Sequence, residues 1–176
     1  MIPANIAKTI NELGYELTIK SSIGKFEPCI LDIEILINKK GEKANAYLNA
    51  YLPMKNCKTV DIEPYELKQN ELYINRLDVS ISLKGNKLAQ LIMCVISEVF
   101  NTEDYKHIDS IGLTAVTSMK SAKSRGHTFP MKLIEYYEKI GFKKRGKLEI
   151  ENGKIYSQSF VVPISTYREQ CKLLFN

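Results

Sequence analysis

The sequence predicts a mixed α/β domain: one largely antiparallel sheet with a central β-α-β-α unit. Three observations predict it. Two β-branched, aliphatic stretches, 29–37 and 46–52, flank the turn Lys39-Lys40-Gly41-Glu42 and read as an antiparallel hairpin. A strand over 72–82 then passes through Gly85 into an apolar-faced helix. A further strand over 108–116 precedes a second helix over 131–140, closed by Gly141. Antiparallel strands followed by a strand-helix-strand-helix order make a mixed sheet.

Taken in order, residues 4–13 place Ile6, Ala7, Ile10 and Leu13 on one helical face, with Gly14 as a stop. Tyr15-Glu16-Leu17-Thr18-Ile19 alternates and reads as a strand. In the hairpin that follows, Tyr47 and Tyr51 share a face because strand side chains alternate. Residues 53–69 are polar and broken by Pro53, Asn56 and Pro64, so an irregular connection is expected. The strand over 72–82 carries Leu72, Ile74, Leu77, Val79 and Ile81, and its alternation slips between Ile74 and Leu77. That slip predicts a bulge near Asn75-Arg76. Leu88, Leu91, Ile92, Val95, Ile96 and Val99 have helical spacing. Pro130 stands where a helix start tolerates proline. Two closing strands, 142–148 and 155–162, flank the turn Glu151-Asn152-Gly153, and 165–174 is a short terminal helix.

The bulk numbers constrain function less than fold. A chain of 176 residues, 44% hydrophobic and 26% charged, suits a single domain over 1–176 with one core. No apolar run approaches the roughly 20 residues of a membrane-spanning helix, and the first residues lack a signal-peptide layout, so a cytoplasmic location is the expectation. Cys29, Cys57, Cys94 and Cys171 form no Cys-x-x-Cys pair and the chain has two histidines, a poor basis for a metal site. All four read as buried or incidental thiols, Cys94 as a core residue. The net charge of +5 is concentrated: residues 120–147 hold nine Lys and Arg against two Glu, +7, and the rest sums to −2. Such a surface attracts anions. A phosphorylated cofactor, a nucleic acid or an acidic partner would all qualify, as would a merely solvated face. A nucleic-acid ligand is disfavoured, because the basic stretch lacks interleaved aromatics and no helix-turn-helix or RNA-binding signature is present.

Two units could carry chemistry. In Leu83-Lys84-Gly85-Asn86-Lys87-Leu88-Ala89 a glycine turn opens a helix, where unpaired N–H groups and the helix dipole favour a phosphate, with Lys84 and Lys87 adding charge. In Tyr136-Tyr137-Glu138-Lys139-Ile140-Gly141-Phe142 an amphipathic helix ends at glycine, and packing alone accounts for both tyrosines.

Tyr137-Glu138-Lys139-Ile140-Gly141-Phe142 resembles the Tyr-Glu-Lys-Leu-Gly-Phe signature of the GNAT superfamily of N-acetyltransferases. It follows, by one strand and one helix, a stretch similar to that family's pyrophosphate loop, Arg/Gln-x-x-Gly-x-Gly/Ala, with Lys84 at the Arg/Gln place and Ala89 at the last. Lys87 stands where the family prefers a glycine, which lets the backbone approach the pyrophosphate. The asparagine frequent early in the last helix is absent, and the connection over 117–128 is long and basic. The resemblance implies a GNAT-like acyl-CoA N-acyltransferase fold, acetyl-CoA as co-substrate, and acetyl transfer to an amine borne by a small molecule, a peptide or a protein. It implies Val79 and Ile81 as backbone donors to the pantetheine arm and carbonyl. Lys84, Gly85, Asn86, Lys87, Leu88 and Ala89 would form the pyrophosphate site, and Tyr137 would be the acid that protonates the CoA thiolate. The general base has no clear match; Glu71 and Asp78 are the local acids. A homodimer stays open. So does a GNAT-like chain that has lost catalysis and binds a partner or nucleic acid through its basic face.

Overall fold

The computed structural model describes residues 4–24, 29–41, 45–55, 60–62, 65–79, 88–99, 101–116, 129–151 and 154–175. Helix α1 (Ala4–Glu12) leads into β1 (Tyr15–Ile23), β2 (Ile30–Lys39) and β3 (Asn45–Pro53). Two short strands, β4 (Val60–Ile62) and β5 (Tyr65–Leu67), pair within the connection expected to be irregular; three-residue strands leave no periodicity to read. Then come β6 (Glu71–Val79), α2 (Leu88–Val99), a single 3₁₀ turn (Glu103–Tyr105), β7 (Ser110–Val116), α3 (Phe129–Lys139), β8 (Lys143–Glu151), β9 (Lys154–Pro163) and α4 (Ile164–Phe175). Gly141, at φ +92°, supplies the left-handed residue that ends α3.

Seven strands form one sheet in the order β1-β2-β3-β6-β7-β9-β8. Among the described strands only β6 and β7 run parallel, joined by the crossover through α2. Ile33, Ala50, Ile74, Leu113 and Phe160 stand in register across five strands, and all belong to the main buried cluster. All four helices contribute to that cluster: Ile6 and Ile10 from α1, Leu88 to Ile96 from α2, Ile134 and Tyr137 from α3, Tyr167 and Cys171 from α4. One face of the sheet is therefore the helix face. On the other face stand Asp32, Tyr51, Tyr73, Gly112 and Val161 in the next row. Over it a small cluster joins Ile30 and Tyr73 to Leu67 of β5.

One feature corrects the sequence reading, and a second bears on a candidate residue. The cysteines are not free thiols: Cys94 of α2 is core, but it is bonded to Cys171 of α4, 77 residues away, at a Cα–Cα distance of 5.6 Å. Cys29 is disulfide-bonded as well, to a partner outside the described residues. Pairing is set by the tertiary approach of the Cα atoms, which spacing does not encode. The second concerns Glu71. It begins β6 at 1% exposure, and Arg145 of β8 forks onto it: Nη2 donates to Oε1 at 2.9 Å and Nη1 donates to Oε2. The pair crosses β9 and β7, about 14 Å of sheet at ordinary strand spacing. It can do so because residue 112 is glycine; a Cβ there would overlap the Glu71 carboxylate.

Candidate functional site

The parallel strands β6 and β7 stay paired from Glu71↔Ser110 to Ile74↔Leu113 and then part. Both continue. β6 follows β3 as far as Val79↔Ala46, and β7 follows β9 as far as Val116↔Ser157. The result is a V-shaped opening with its apex at Ile74 and Leu113. The bulge expected near Asn75-Arg76 marks the same place: Ala50 faces Ile74 and Asn49 faces Arg76, leaving Asn75 as the extra residue.

Tyr137 lies on the helix face, to the β9 side of the apex. Its ring packs at 5.4 Å on Phe160, which stands in register with Leu113, the last β7 residue paired to β6. Phe142 and Tyr136 meet it edge-on at 5.8 and 5.4 Å. Tyr137 is 8% exposed, and burial, with Tyr136 alongside, raises its phenol well above the usual tyrosine range. Burial likewise pushes Tyr136 up to about 12, and its hydroxyl has no hydrogen-bond partner among the described residues.

Of the other sequence-derived residues, Val79 ends the splayed limb of β6 with no β7 partner, so one edge of its backbone faces the opening. Leu88 and Ala89 open α2. Ile81, Lys84, Gly85, Asn86 and Lys87 lie outside the described residues, as do Lys120, Lys123 and Arg125 of the basic stretch. Asp78 stands on the splayed limb, on the face away from the helices, its Oδ2 accepting from Arg76 Nε at 2.5 Å; the Arg76 guanidinium lies 5.8 Å from the Tyr47 ring centroid. Glu71 is on the closed side of the apex with both oxygens engaged, an arrangement that does not suit a group taking a proton at the opening.

The opening also has neighbours that the sequence reading did not single out. Asn49 Nδ2 donates to Asp32 Oδ1 at 2.6 Å, and Asn75 Nδ2 donates to Asn49 Oδ1 at 2.7 Å and to Tyr51 Oη at 3.2 Å. The signal was available: Asp32 and Asn49 are polar residues within the two hairpin strands, at the parity that puts them on Tyr51's face. Tyr47 donates to Glu34, and burial first, then that bond, pushes its phenol up to about 12.

The strand order, one parallel pair and a V between its members make the architecture specific. The fold is of the GNAT type. An uncharacterized protein from Bacillus halodurans superimposes with a TM-score of 0.52 at 16% identity, over 82% of this chain and 65% of that one. Arabidopsis thaliana NAA60 in complex with acetyl-CoA is similar with a TM-score of 0.49 at 11% identity, over 85% of this chain and 99% of that one. IAA acetyltransferase from Bacillus cereus gives 0.45 at 10%, over 84% and 99%. No protein-family model and no curated protein matches the chain. Of these three the first alone exceeds a TM-score of 0.5, and at 16% identity it speaks for the fold alone.

Proposed function

We propose that this GNAT-fold chain is an N-acyltransferase that moves an acetyl group from acetyl-CoA to an amine. The observation that carries the reading is the parting of β6 from β7 beyond Ile74 and Leu113, with Tyr137 on the helix face one strand to the side. An opening lined by unpaired strand edges suits an extended, amide-bearing arm, which can hydrogen-bond to those edges as a strand would. Val79, and Ile81 beyond it, would hold that arm. Lys84, Gly85, Asn86, Lys87, Leu88 and Ala89 would hold the pyrophosphate at the start of α2. When bound, acetyl-CoA supplies an activated thioester, so the protein's task is positioning and proton transfer.

Tyr137 is assigned the donor to the departing thiolate, by proton or by hydrogen bond; the burial that raises its phenol opposes complete transfer to a thiolate and favours the hydrogen bond. Asp78, exposed on the splayed limb, is the better-placed acceptor of the amine's proton, and Glu71 is reassigned to structure through Arg145. The helices and Tyr137 occupy one face, so the amine would arrive from the other. The disulfides weigh against the reducing cytoplasm expected from the sequence.

The alternative, partner binding through the basic face, draws on Lys87 and on Lys132, Lys143 and Lys147, which are exposed. Incubation of acetyl-CoA with a panel of primary amines and peptides, followed by release of free CoA thiol, separates the two. Amine-dependent thiol release supports the enzyme; a protein that releases none with any amine supports the binder.

A further inference from the structure

On the face of the sheet away from the helices, a charge on β2 sets the direction of a carboxamide two strands away, at the mouth of the opening. Asp32 carries the charge. As a carboxylate it can only accept, so Asn49 must turn its NH2 toward Asp32; a second bond from that Nδ2, to the Ile33 carbonyl at 3.3 Å, demands the same orientation. Asn49 is 7% exposed, which makes a reversed and unpaired amide costly. Its Oδ1 is then the only atom left for Asn75, so Asn75 must offer its own NH2, which Tyr51 Oη also accepts. Both of Asn75's polar atoms are thereby assigned: the nitrogen faces the network, and the carbonyl oxygen is left to the outside. Asn75 itself is exposed.

Its position gives that oxygen a use. Asn75 is the bulge residue, and it is the first residue of β6 beyond the last β6–β7 pair. Bulges re-aim side chains and end pairing. An ordinary strand would need no polar relay here, and an exposed asparagine would normally turn freely in water. This one is fixed through Asn49 to a carboxylate on β2.

We infer that Asn75 is an acceptor-recognition residue: its Oδ1 takes a hydrogen bond from an N–H of the incoming amine, and Asp32 and Asn49 are positioning residues that aim it. The ligand class follows from the chemistry. A fixed carbonyl oxygen at the mouth of the opening accepts from N–H groups, so it selects an ammonium over a quaternary cation, which has none to donate. The inference deepens the acyltransferase reading and rests on it for the identification of the ligand as acceptor.

The test is made on the intact folded protein with n-butylammonium as probe and tetramethylammonium, which has charge but no N–H, as control. Side-chain amide signals of Asn75 and Asn49 are followed by nitrogen-15 NMR. The expected result is saturable shifts with n-butylammonium, none with tetramethylammonium, and an affinity for n-butylammonium weakened by about tenfold in Asn75→Ala, the loss of one hydrogen bond to a charged group. Asp32→Asn, which frees both amides to turn, should lose the discrimination between the two cations while keeping a dispersed spectrum. Equal shifts from both cations, or no shift in a well-folded sample, would overturn the inference. Acetyl-CoA is titrated in parallel into wild type and Asn75→Ala. Unchanged binding of acetyl-CoA with no amine response sinks the Asn75 proposal alone. An amine response without acetyl-CoA binding upholds the ammonium site and sinks the acyltransferase reading.

Discussion

Replacing Gly112 by alanine should cost the protein far more than one methyl group on a strand normally does. The alanine Cβ would fall within the space of the Glu71 carboxylate, with even Cγ at 3.2 Å. The side chain that would have to move is 1% exposed and held on both oxygens by Arg145. Overpacking a core site costs about 1–3 kcal/mol, and losing one partner of a buried pair costs about 3–5 kcal/mol. Displacement of the carboxylate without its removal should fall between these, about 2–4 kcal/mol. For a chain of this size that lowers the melting temperature by roughly 4–16 °C, at about 2–4 °C per kcal/mol. Urea denaturation of wild type, Gly112→Ala, Glu71→Ala and the double variant gives the coupling energy. If the clash is with Glu71, Gly112→Ala should be nearly neutral once Glu71 is alanine. Additive costs would refute the reasoning and place the strain elsewhere on β7. The same series tests the reassignment of Glu71: thiol release per folded molecule should change little in Glu71→Gln, whereas a general base lost there would lower it by about 10²-fold or more.

Tyr137→Phe keeps the ring contacts with Phe160 and Phe142 and removes the hydroxyl, so kcat should fall by about 10²-fold with stability little changed. Tyr136→Phe serves as the control and should leave kcat unchanged. Reducing the Cys94–Cys171 bond, or replacing both cysteines by alanine, should cost about 4 kcal/mol for a closed loop of 77 residues, read as a lowered urea midpoint. In the alkaline range, Tyr136, raised to about 12, and Tyr137 and Tyr167, raised further by burial, each stabilise the fold while protonated. Their contribution is complete below the unfolded tyrosine value of about 10 and is lost as pH climbs from there through the folded values, at about 1.4 kcal/mol per pH unit for each. The phenolate absorbance of Tyr136, taken as the difference between wild type and Tyr136→Phe, should therefore rise together with unfolding above pH 10, not before it.

Much of the fold was legible because its signals are local. The helical spacing of Leu88 to Val99 needed no knowledge of partners, and the slip between Ile74 and Leu77 located the bulge at Asn75. The apex of the opening lies beside that bulge, so the broken alternation pointed at the site itself. What the sequence withheld is non-local. Glu71 looked like an available acid until Arg145, 74 residues on, was brought over Gly112 to meet it. The thiols of Cys94 and Cys171 read as buried or incidental, Cys94 as a core residue; only the packing of α2 against α4 pairs them. The orientation of Asn75 depends on three strands at once.

The central claim is that the opening beside Tyr137 holds acetyl-CoA, and calorimetric titration of the protein with acetyl-CoA tests it most directly. The account predicts saturable one-to-one binding that weakens as salt is raised, since a pyrophosphate held by lysines and a helix start is screened by ions. Absence of binding up to millimolar acetyl-CoA, with the protein folded, would contradict it.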